Sequence, residues 1–296
     1  MDAGRLLGWD RGRVDVAGVL RERWDLKAAR LEVLTGGMNS ATWLASSEGD
    51  AWRVVVKSVD VDDASFGPGL ELAVRLDDAG VVSGRPWSSK GGRLVERADD
   101  RQVAVLEYVS GEELGKTAAD RTSIGDLLGR VHTIAAVETG DLQDWLRVLM
   151  PFDDYLDLEP WIRPAVADAI ARATALGETW AWLHGDAARE AFRRQPDGSV
   201  ALIDWGSALP GPILYDVASA VMYADGSPEH VVAAYVRRRP DLAGELARGL
   251  DAFLHVRWAV QAGYFAWRIG NNVLTGISDE SENRKGLADA RRAFGG

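Results

Sequence analysis

The chain has 296 residues, 47% of them hydrophobic and 27% charged, which is typical of a globular protein with one large or two medium domains. It contains no cysteine, which excludes disulfides and thiolate chemistry. The net charge of −11 argues against nucleic-acid binding, because phosphate backbones require a basic face, and is compatible with a cationic substrate. No signal-peptide pattern and no apolar run of ~20 residues is visible, so we expect a cytoplasmic protein without a membrane association.

The first part of the chain predicts an antiparallel sheet with one helix. Polar turns separate the runs of apolar and β-branched residues, and a helical spacing of leucines and alanines occurs at residues 69–79. The predicted strands are residues 30–35, 41–45, 51–59, 93–96 and 102–108.

The pattern becomes mainly helical after Gly111. A short strand at residues 200–203 is the exception, because it follows the turn Pro196-Asp197-Gly198. The predicted helices are residues 122–135, 164–176, 215–223, 230–238 and 251–269. We therefore predict an α+β protein with an N-terminal lobe at residues 1–110 and a helical C-terminal lobe at residues 111–296.

Two short motifs carry the strongest chemical signal. His184-Gly185-Asp186 and Asp204-Trp205-Gly206 each follow an apolar stretch, and their aspartates are 18 residues apart. Phosphoryl transfer needs one carboxylate to accept the proton of the attacking hydroxyl and another to hold magnesium against the nucleotide phosphates. Either motif by itself can be an ordinary turn; together with the two-lobe pattern they favour a kinase.

The segment from His184-Gly185-Asp186 to Asp204-Trp205-Gly206, followed by Gly211-Pro212-Ile213-Leu214-Tyr215-Asp216, resembles the aminoglycoside phosphotransferase and choline kinase-like family. The resemblance implies a bilobal protein-kinase-like fold, with an antiparallel sheet lobe before a mostly helical lobe. It also implies a kinase that transfers the γ-phosphate of ATP, with Mg²⁺, to a hydroxyl of a small metabolite or antibiotic. The chain has no evident activation segment ending in Ala-Pro-Glu, which argues against a protein kinase. The sequence defines no oligomeric state.

The same resemblance assigns the nucleotide site. Lys57 would contact the α- and β-phosphates with Glu71 as its partner, and the loop from Gly36 to Ser40 would cover the phosphates. The backbone of Glu107 and Val109 would bind adenine. Simpler interpretations remain open: Lys57 can be an edge-strand lysine, Glu71 can favour its helix N-terminus through the dipole, and the glycine loop can be a plain hairpin.

In the helical lobe, Asp186 would be the catalytic base and Asp204 the metal ligand. His184 would orient the catalytic loop, and His132 would have a structural role. Asp216 would brace the catalytic loop, and it can also be the N-cap of a helix that begins at Val217.

Position 191 departs from the family pattern. An asparagine is expected five residues after the catalytic aspartate, and the chain has Ala191, whose methyl group cannot bind magnesium. Three explanations remain open: Asp204 holds the metal with water, Glu190 replaces the asparagine, or the protein binds nucleotide without turnover, as a pseudokinase or regulatory protein. An engineered replacement at Ala191 is compatible with the sequence as well.

The acceptor would bind in the helical lobe beside Asp186. Arg257, Gln261 and Tyr264 are spaced i, i+4 and i+7, so they share a helix face that suits a hydroxylated ligand. An amphipathic surface helix explains the same spacing. Residues 153–155, Asp-Asp-Tyr, offer carboxylates for an amine.

Overall fold

The computed structural model describes residues 14–34, 40–174, 176, 179–224 and 228–295. Near its start, a short helix, α1 (Val16–Val19), continues as one π-helical turn at Leu20–Trp24. In the described part of the chain no helix is long and apolar enough to cross a membrane.

An antiparallel sheet follows, as the sequence predicts, and in the described residues it has six strands, of which the short one at Pro86–Trp87 was not predicted. Its order is β1-β2-β3-β6-β4, and β5 also pairs with β6. The strands are β1 (Arg30–Leu34), β2 (Ala41–Ser46), β3 (Arg53–Asp60), β4 (Pro86–Trp87), β5 (Glu96–Ala98) and β6 (Arg101–Glu107). One face of β3 and β6 packs on the N-terminal helical segment, because Val54, Val56, Val103 and Val105 are buried against Leu20. Since β3 lies between β2 and β6, Lys57 is on a central strand and the edge-strand interpretation is wrong.

Helix α2 (Phe66–Asp78) connects β3 to the rest of the sheet. It begins three residues before the predicted start at Gly69, because Phe66 and Leu70 are buried against the sheet residues Ala104 and Leu106. Its other buried residues, Leu72 and its neighbours, join the main core of the helical part.

The remainder of the chain is mainly helical. Helix α3 begins behind a capping box between Thr117 and Asp120 and buries the predicted apolar stripe around Leu128. The long helix α8 begins eight residues before the predicted start at Asp251. The helices are α3 (Ala118–Ile134), α4 (Leu142–Leu149), α5 (Ile162–Ala173), α6 (Ile213–Tyr223), α7 (Glu229–Arg238), α8 (Ala243–Gly270) and α9 (Glu280–Ala293).

Two small sheets carry the loops between these helices. The strand β7 (Glu112–Glu113) pairs with β9 (Phe192–Arg194), which pairs with β10 (Val200–Leu202). The strand β8 (Trp180–Leu183) pairs with β11 (Leu209–Pro212). Both predicted motifs lie at ends of these strands, His184 directly after β8 and Asp204 two residues after β10. The division of the chain at residues 110 and 111 stays a prediction.

Candidate active site

A buried carboxylate anchors the loop that carries Asp186. Asp216 is fully buried and accepts hydrogen bonds from the backbone N–H groups of His184 (2.6 Å) and Gly185 (2.9 Å). His132 Nε2 lies 3.1 Å from the same carboxylate, and its Nδ1 lies 2.8 Å from the Tyr235 hydroxyl. Burial opposes ionisation of Asp216, but the hydrogen bond and charge of His132 outweigh it and hold the pKa of Asp216 below its usual value.

The predicted role of Asp216 as an N-cap is wrong. Helix α6 begins at Ile213 behind Pro212, so Asp216 lies inside its first turn. The helix begins four residues before Val217, because Ile213 and Leu214 are buried in the main core. Asp216 therefore points its carboxylate at the catalytic loop rather than at the helix terminus.

The two predicted motifs are in direct contact. Gly185 has φ of +84°, and a Cβ there would lie 2.1 Å from the carbonyl oxygen of Ser207, so the turn needs glycine. His184 Nε2 donates a hydrogen bond to the carbonyl oxygen of Ile203 (2.8 Å) and its ring packs edge-on against Trp205, with centroids 4.8 Å apart. The loop after β8 and the loop after β10 are thus joined beside the two aspartates.

Asp204 and Lys57 form an ion pair between the sheet and the helical part. Asp204 has a left-handed backbone, with φ of +71°, which is uncommon outside glycine and frequent at functional sites. Its carboxylate accepts a hydrogen bond from Lys57 Nζ, and the lysine charge holds the pKa of Asp204 below its usual value. The Asp204 side chain is 55% exposed, so it remains open to a ligand.

Glu71 does not have the position that the resemblance implies. It is exposed on α2, where it lines a small cavity with Arg85 and Leu94. Within the described ranges no ion pair joins it to Lys57, whose partner is Asp204. The prediction of a Lys57–Glu71 pair is therefore wrong for this conformation, because the register of β3 directs the lysine towards the loop after β10.

Helix α2 nevertheless lies against the Asp-Trp-Gly motif. A Cβ on Gly69 would lie 2.1 Å from the carbonyl oxygen of Trp205, so the helix and the motif backbone are in van der Waals contact. The Ser65 hydroxyl donates a hydrogen bond to the carbonyl oxygen of Gly206 (3.1 Å). These contacts fix the position of Asp204 relative to the sheet.

One carboxylate oxygen of Asp186 is hydrogen-bonded to other side chains of the protein. Its Oδ1 accepts hydrogen bonds from the Tyr223 hydroxyl (2.8 Å) and from Arg257 Nη2 (2.9 Å). Its Oδ2 has no hydrogen-bond partner in the described part of the chain, and the side chain is 49% exposed. One oxygen is therefore held in place while the other is available to a substrate hydroxyl.

Arg257 lies directly beside the proposed base, and its role in binding an acceptor stays a prediction. Its side chain is almost fully buried, and it also donates to Ser219 Oγ (3.2 Å) and to the Tyr223 hydroxyl (2.6 Å). Burial would lower the pKa of Arg257, but its electrostatic interactions with Tyr223, Tyr215 and Asp186 outweigh this effect and raise the pKa, so the guanidinium stays charged. Burial raises the pKa of Tyr223 in turn, which keeps its hydroxyl protonated as a donor.

Tyr223 and Ser219 were missed by the sequence analysis. Their spacing of i and i+4 puts them on one face of α6, and they are polar groups in an otherwise apolar helix. This pattern could have indicated the two residues as a polar pair, but it does not indicate that Arg257 on α8 is their hydrogen-bond partner.

The other two predicted acceptor residues have different contacts. Gln261 Nε2 donates to the carbonyl oxygen of Gly286 (3.0 Å), which ties α8 to α9. The Tyr264 hydroxyl accepts from Arg268 Nη1 (3.0 Å). Burial, and secondarily the charge of Asp186, raises the pKa of Tyr264, so only Tyr264 shares the electrostatic surroundings of the base. A role of Gln261 and Tyr264 in binding an acceptor stays a prediction.

The residues predicted to bind adenine lie close to Gly84 and to Ile203, the residue before Asp204. The carbonyl oxygen of Glu107, the side chain of Val109 and the side chain of Ile203 all lie within 3.7 Å of the Cβ position of Gly84. The N–H of Glu107 donates to the carbonyl oxygen of Arg85 (2.8 Å). The N–H of Val109 has no hydrogen-bond partner among the described residues, and the binding of adenine by the backbone of Glu107 and Val109 stays a prediction.

Only one residue of the predicted phosphate-covering loop is described. Ser40 Oγ lies 3.2 Å from Thr42 Oγ1 at the start of β2. Gly36, Gly37, Met38 and Asn39 lie outside the described residues.

The residue at position 191 has no side-chain oxygen that could bind a metal ion. The Ala191 side chain is 5% exposed and packs in the main core, and its carbonyl accepts a hydrogen bond from Ile203 N–H (2.9 Å). Glu190 is exposed and has no hydrogen bond or ion pair with the described residues, and its charge is close enough to affect Tyr223. Asp204 and Glu190 carry carboxylate oxygens, which are ligands that Mg²⁺ prefers, and Mg²⁺ usually keeps several waters. The donor chemistry of each carboxylate suits a magnesium ion, and a joint role of Asp204 and Glu190 as metal ligands stays a prediction.

Residues 30–248, most of the chain, match the model of the phosphotransferase enzyme family, APH. The chain belongs to this family. An uncharacterized protein of Deinococcus radiodurans is 28% identical over 280 residues, covering 86% of this chain and 82% of that protein. The predicted family is therefore confirmed.

Solved structures show the same fold. A spectinomycin phosphotransferase with ADP and spectinomycin has a TM-score of 0.64 at 12% identity, covering 94% of this chain and 93% of that one. A thermostable mutant of an aminoglycoside phosphotransferase, in a ternary complex with AMP-PNP and hygromycin B, has a TM-score of 0.64 at 16% identity, covering 95% of this chain and 99% of that one. A choline kinase of Streptococcus pneumoniae has a TM-score of 0.64 at 17% identity, covering 92% and 97%. The predicted protein-kinase-like α+β fold is confirmed.

Proposed function

We propose that this phosphotransferase is an ATP-dependent kinase that transfers the γ-phosphate to a hydroxyl of a small molecule. The observation that carries the proposal is the arrangement of two aspartates. Asp186 presents an unpartnered oxygen, and Asp204 is paired with a lysine of the sheet. The contact between His184 and Ile203 holds the two loops together. The nucleotides bound in related structures, ADP and AMP-PNP, support a nucleotide substrate. An ATP-dependent role is consistent with a cytoplasmic location.

The proposal gives each residue of the candidate site a role in the reaction or in binding. Asp186 Oδ2 accepts the proton of the acceptor hydroxyl as that oxygen bonds to the γ-phosphorus, and the bond from the γ-phosphorus to the bridging oxygen breaks so that ADP leaves. Arg257 and Tyr223 hold Asp186 Oδ1, so the free oxygen keeps its direction. Lys57 leaves Asp204 to contact the nucleotide phosphates. The backbone of Glu107 and Val109 binds adenine.

Magnesium would be held by Asp204, with Glu190 as the second carboxylate available from the chain. When bound, the metal supplies positive charge against the phosphate oxygens. Asp204 has its pKa held low by Lys57, so it is ionised and able to bind a cation at neutral pH. The acceptor site would lie beside Asp186 in the helical lobe.

The deciding experiment replaces the base. Asp186→Asn should leave nucleotide binding by calorimetry unchanged and reduce acceptor-dependent ADP release by about 100-fold or more, the scale of general base catalysis. Asp168→Asn is the matched control, because Asp168 is an exposed aspartate on α5 that pairs only with Arg172. Undiminished turnover in Asp186→Asn, with turnover by the wild type established, would contradict the assignment of the base.

A nucleotide-binding pseudokinase is the second candidate. The observation that favours it is the buried methyl group of Ala191 at the position of an expected metal ligand. The same assays separate the two functions: tight binding of ATP with magnesium, without ADP release in the presence of any acceptor or water, would favour the pseudokinase. Ala191→Asn would then be the variant to test for restored turnover.

A further inference from the structure

We infer that two copies of this chain associate through the free edge of β1 and form one continuous antiparallel sheet. The strand itself carries the inference, because every residue of β1 (Arg30–Leu34) is exposed and, in the described part of the chain, β2 is the only strand that pairs with it. An edge strand has a row of backbone N–H and C=O groups that can pair with another strand. The inference is independent of the proposed kinase function.

The exposed strand extends an apolar face of the sheet. In the described ranges six large hydrophobic residues are exposed, and half of them lie in β1: Leu31, Val33 and Leu34. Leu31 lies opposite Ala45, which is buried in the cluster that the N-terminal helical segment covers. Val33 lies on the same face as Leu31, whereas Leu34 shares the other face with Lys57, on the side of the candidate active site. Leu31 and Val33 therefore carry the covered apolar face on to the edge of the sheet, where a partner would cover them.

The charges of β1 are complementary to those of a second β1. In an antiparallel pair of identical strands related by a two-fold axis at Leu31, the two Leu31 residues face each other and Arg30 faces Glu32 of the second copy. The symmetry repeats this pair of opposite charges, and opposite charges on facing residues stabilise a strand pair. Val33 faces Ala29, a small residue that is exposed as well.

The neighbouring registers lack this complementarity. An axis at Glu32 would bring two glutamates face to face, and an axis at Val33 would place Glu32 opposite Leu34. Within one copy, Arg30 and Glu32 lie 3.8 Å apart with side chains that are 65% and 55% exposed, so their own pair is weak and both groups are open to a second copy. The strand therefore favours its own copy as the partner, with the axis at Leu31.

The expected dimer is weak. Five residues of β1 from each copy are fewer than the ~20–30 of a stable interface, so we expect a dissociation constant of about 1–100 µM. The net charge of −11 on each copy opposes association, and salt at ~0.15 M screens it beyond ~8 Å. Sedimentation velocity of the whole chain in that salt, from about 1 to 200 µM, should show the mass rising from one copy to two. A wild type that stays monomeric throughout would overturn the inference.

The chain has no cysteine, which allows a direct test of the register. Leu31→Cys should form a disulfide between copies, because facing residues of an antiparallel pair have Cα atoms about 4.5–5.5 Å apart, within the range of a disulfide. Val33→Cys is the matched control, since Val33 is exposed on the same face but the two copies of it would lie about 14 Å apart along the strands. Mild oxidation should link Leu31→Cys about tenfold faster or more than Val33→Cys. Equal rates would overturn the inference.

Charge variants test the facing pair of Arg30 and Glu32. Glu32→Arg should raise the dissociation constant by about tenfold or more, because it places like charges opposite each other at two symmetric positions. The double variant Arg30→Glu, Glu32→Arg should restore the wild-type association. Val148→Lys, at an exposed residue of α4, is the control that should leave the dissociation constant unchanged. With urea midpoints showing that each variant is folded, a dimer indifferent to Glu32→Arg, or one that the double variant does not restore, would overturn the inference.

Discussion

The contact between α2 and the Asp-Trp-Gly motif gives a sharp test of the structure. Gly67 and Gly69 lie in the same helix, two residues apart. A Cβ on Gly69 would lie 2.1 Å from the carbonyl oxygen of Trp205 and 3.1 Å from its carbon, whereas a Cβ on Gly67 would meet nothing within 4 Å. Because the obstacle is backbone, Gly69→Ala must move α2 away from the loop that holds Asp204.

The expected difference can be worked out from two opposing effects. Alanine in place of glycine inside a helix favours folding by about 0.5–1 kcal/mol, but this gain is smaller at Gly67, which lies in the first turn directly before Pro68. Overpacking against fixed backbone costs about 1–3 kcal/mol, and only Gly69→Ala has this cost. Gly67→Ala should therefore be more stable than Gly69→Ala by about 1–2 kcal/mol. Gly69→Ala should also lower turnover, since it shifts Asp204.

Urea unfolding followed by tryptophan fluorescence measures this difference, and the 12 tryptophans, among them the buried Trp205, provide a strong signal. Midpoints should be compared at equal m-values, so that a change in the unfolded state is not taken for a change in stability. Equal midpoints and equal turnover for the two variants would refute the contact between α2 and the motif.

Two further predictions concern charged groups. Asp216→Asn should destabilise the protein by about 3–5 kcal/mol near neutral pH, the cost of breaking a buried pair. Because the folded pKa of Asp216 is below the usual 3.8, this contribution is present above that pH and is lost as the pH falls through the lower folded value. Urea unfolding of both proteins at falling pH should therefore show the gap closing, and a gap that widens in acid would contradict the assignment. Lys57→Ala should weaken ATP binding by about tenfold in calorimetry, since it removes the cation proposed to contact the phosphates, and should leave the free energy of unfolding within about 1 kcal/mol of the wild type. Unchanged ATP affinity would count against Lys57 as a phosphate contact.

The parts of the fold that follow from local patterns were predictable from the sequence. The valines before Lys57 indicate a buried strand, and the stripe around Leu128 indicates a helix, and both lie where the pattern predicts them. Helix α9 was missed because its sequence is largely polar, and its packing on α8, which includes the hydrogen bond between Asn283 and Arg268, is not visible in a local pattern. The start of α8 was missed because Gly249 interrupts its pattern, and a Cβ there would lie 2.5 Å from Leu214 on α6.

The candidate site also has a part that the sequence predicts and a part that it does not. The motifs around Asp186 and Asp204 are local and were found. Which side chain pairs with which depends on packing between distant segments. This is why Glu71 was assigned to Lys57 and why the hydrogen bond between Arg257 and Asp186 was not predicted. The bond between Arg257 and Asp186 joins residues 71 positions apart, a separation at which no local sequence pattern applies.

The carboxylate of Asp216 also has a consequence for how the enzyme is made. It binds the catalytic loop to His132 on α3, and His132 is in turn bound to Tyr235 on α7. During synthesis the catalytic loop at His184 leaves the ribosome before Asp216 and Tyr235 do. The loop therefore has no anchor until two later helices have emerged and docked, so a nascent chain that ends before Tyr235 would carry the catalytic sequence in an unanchored form.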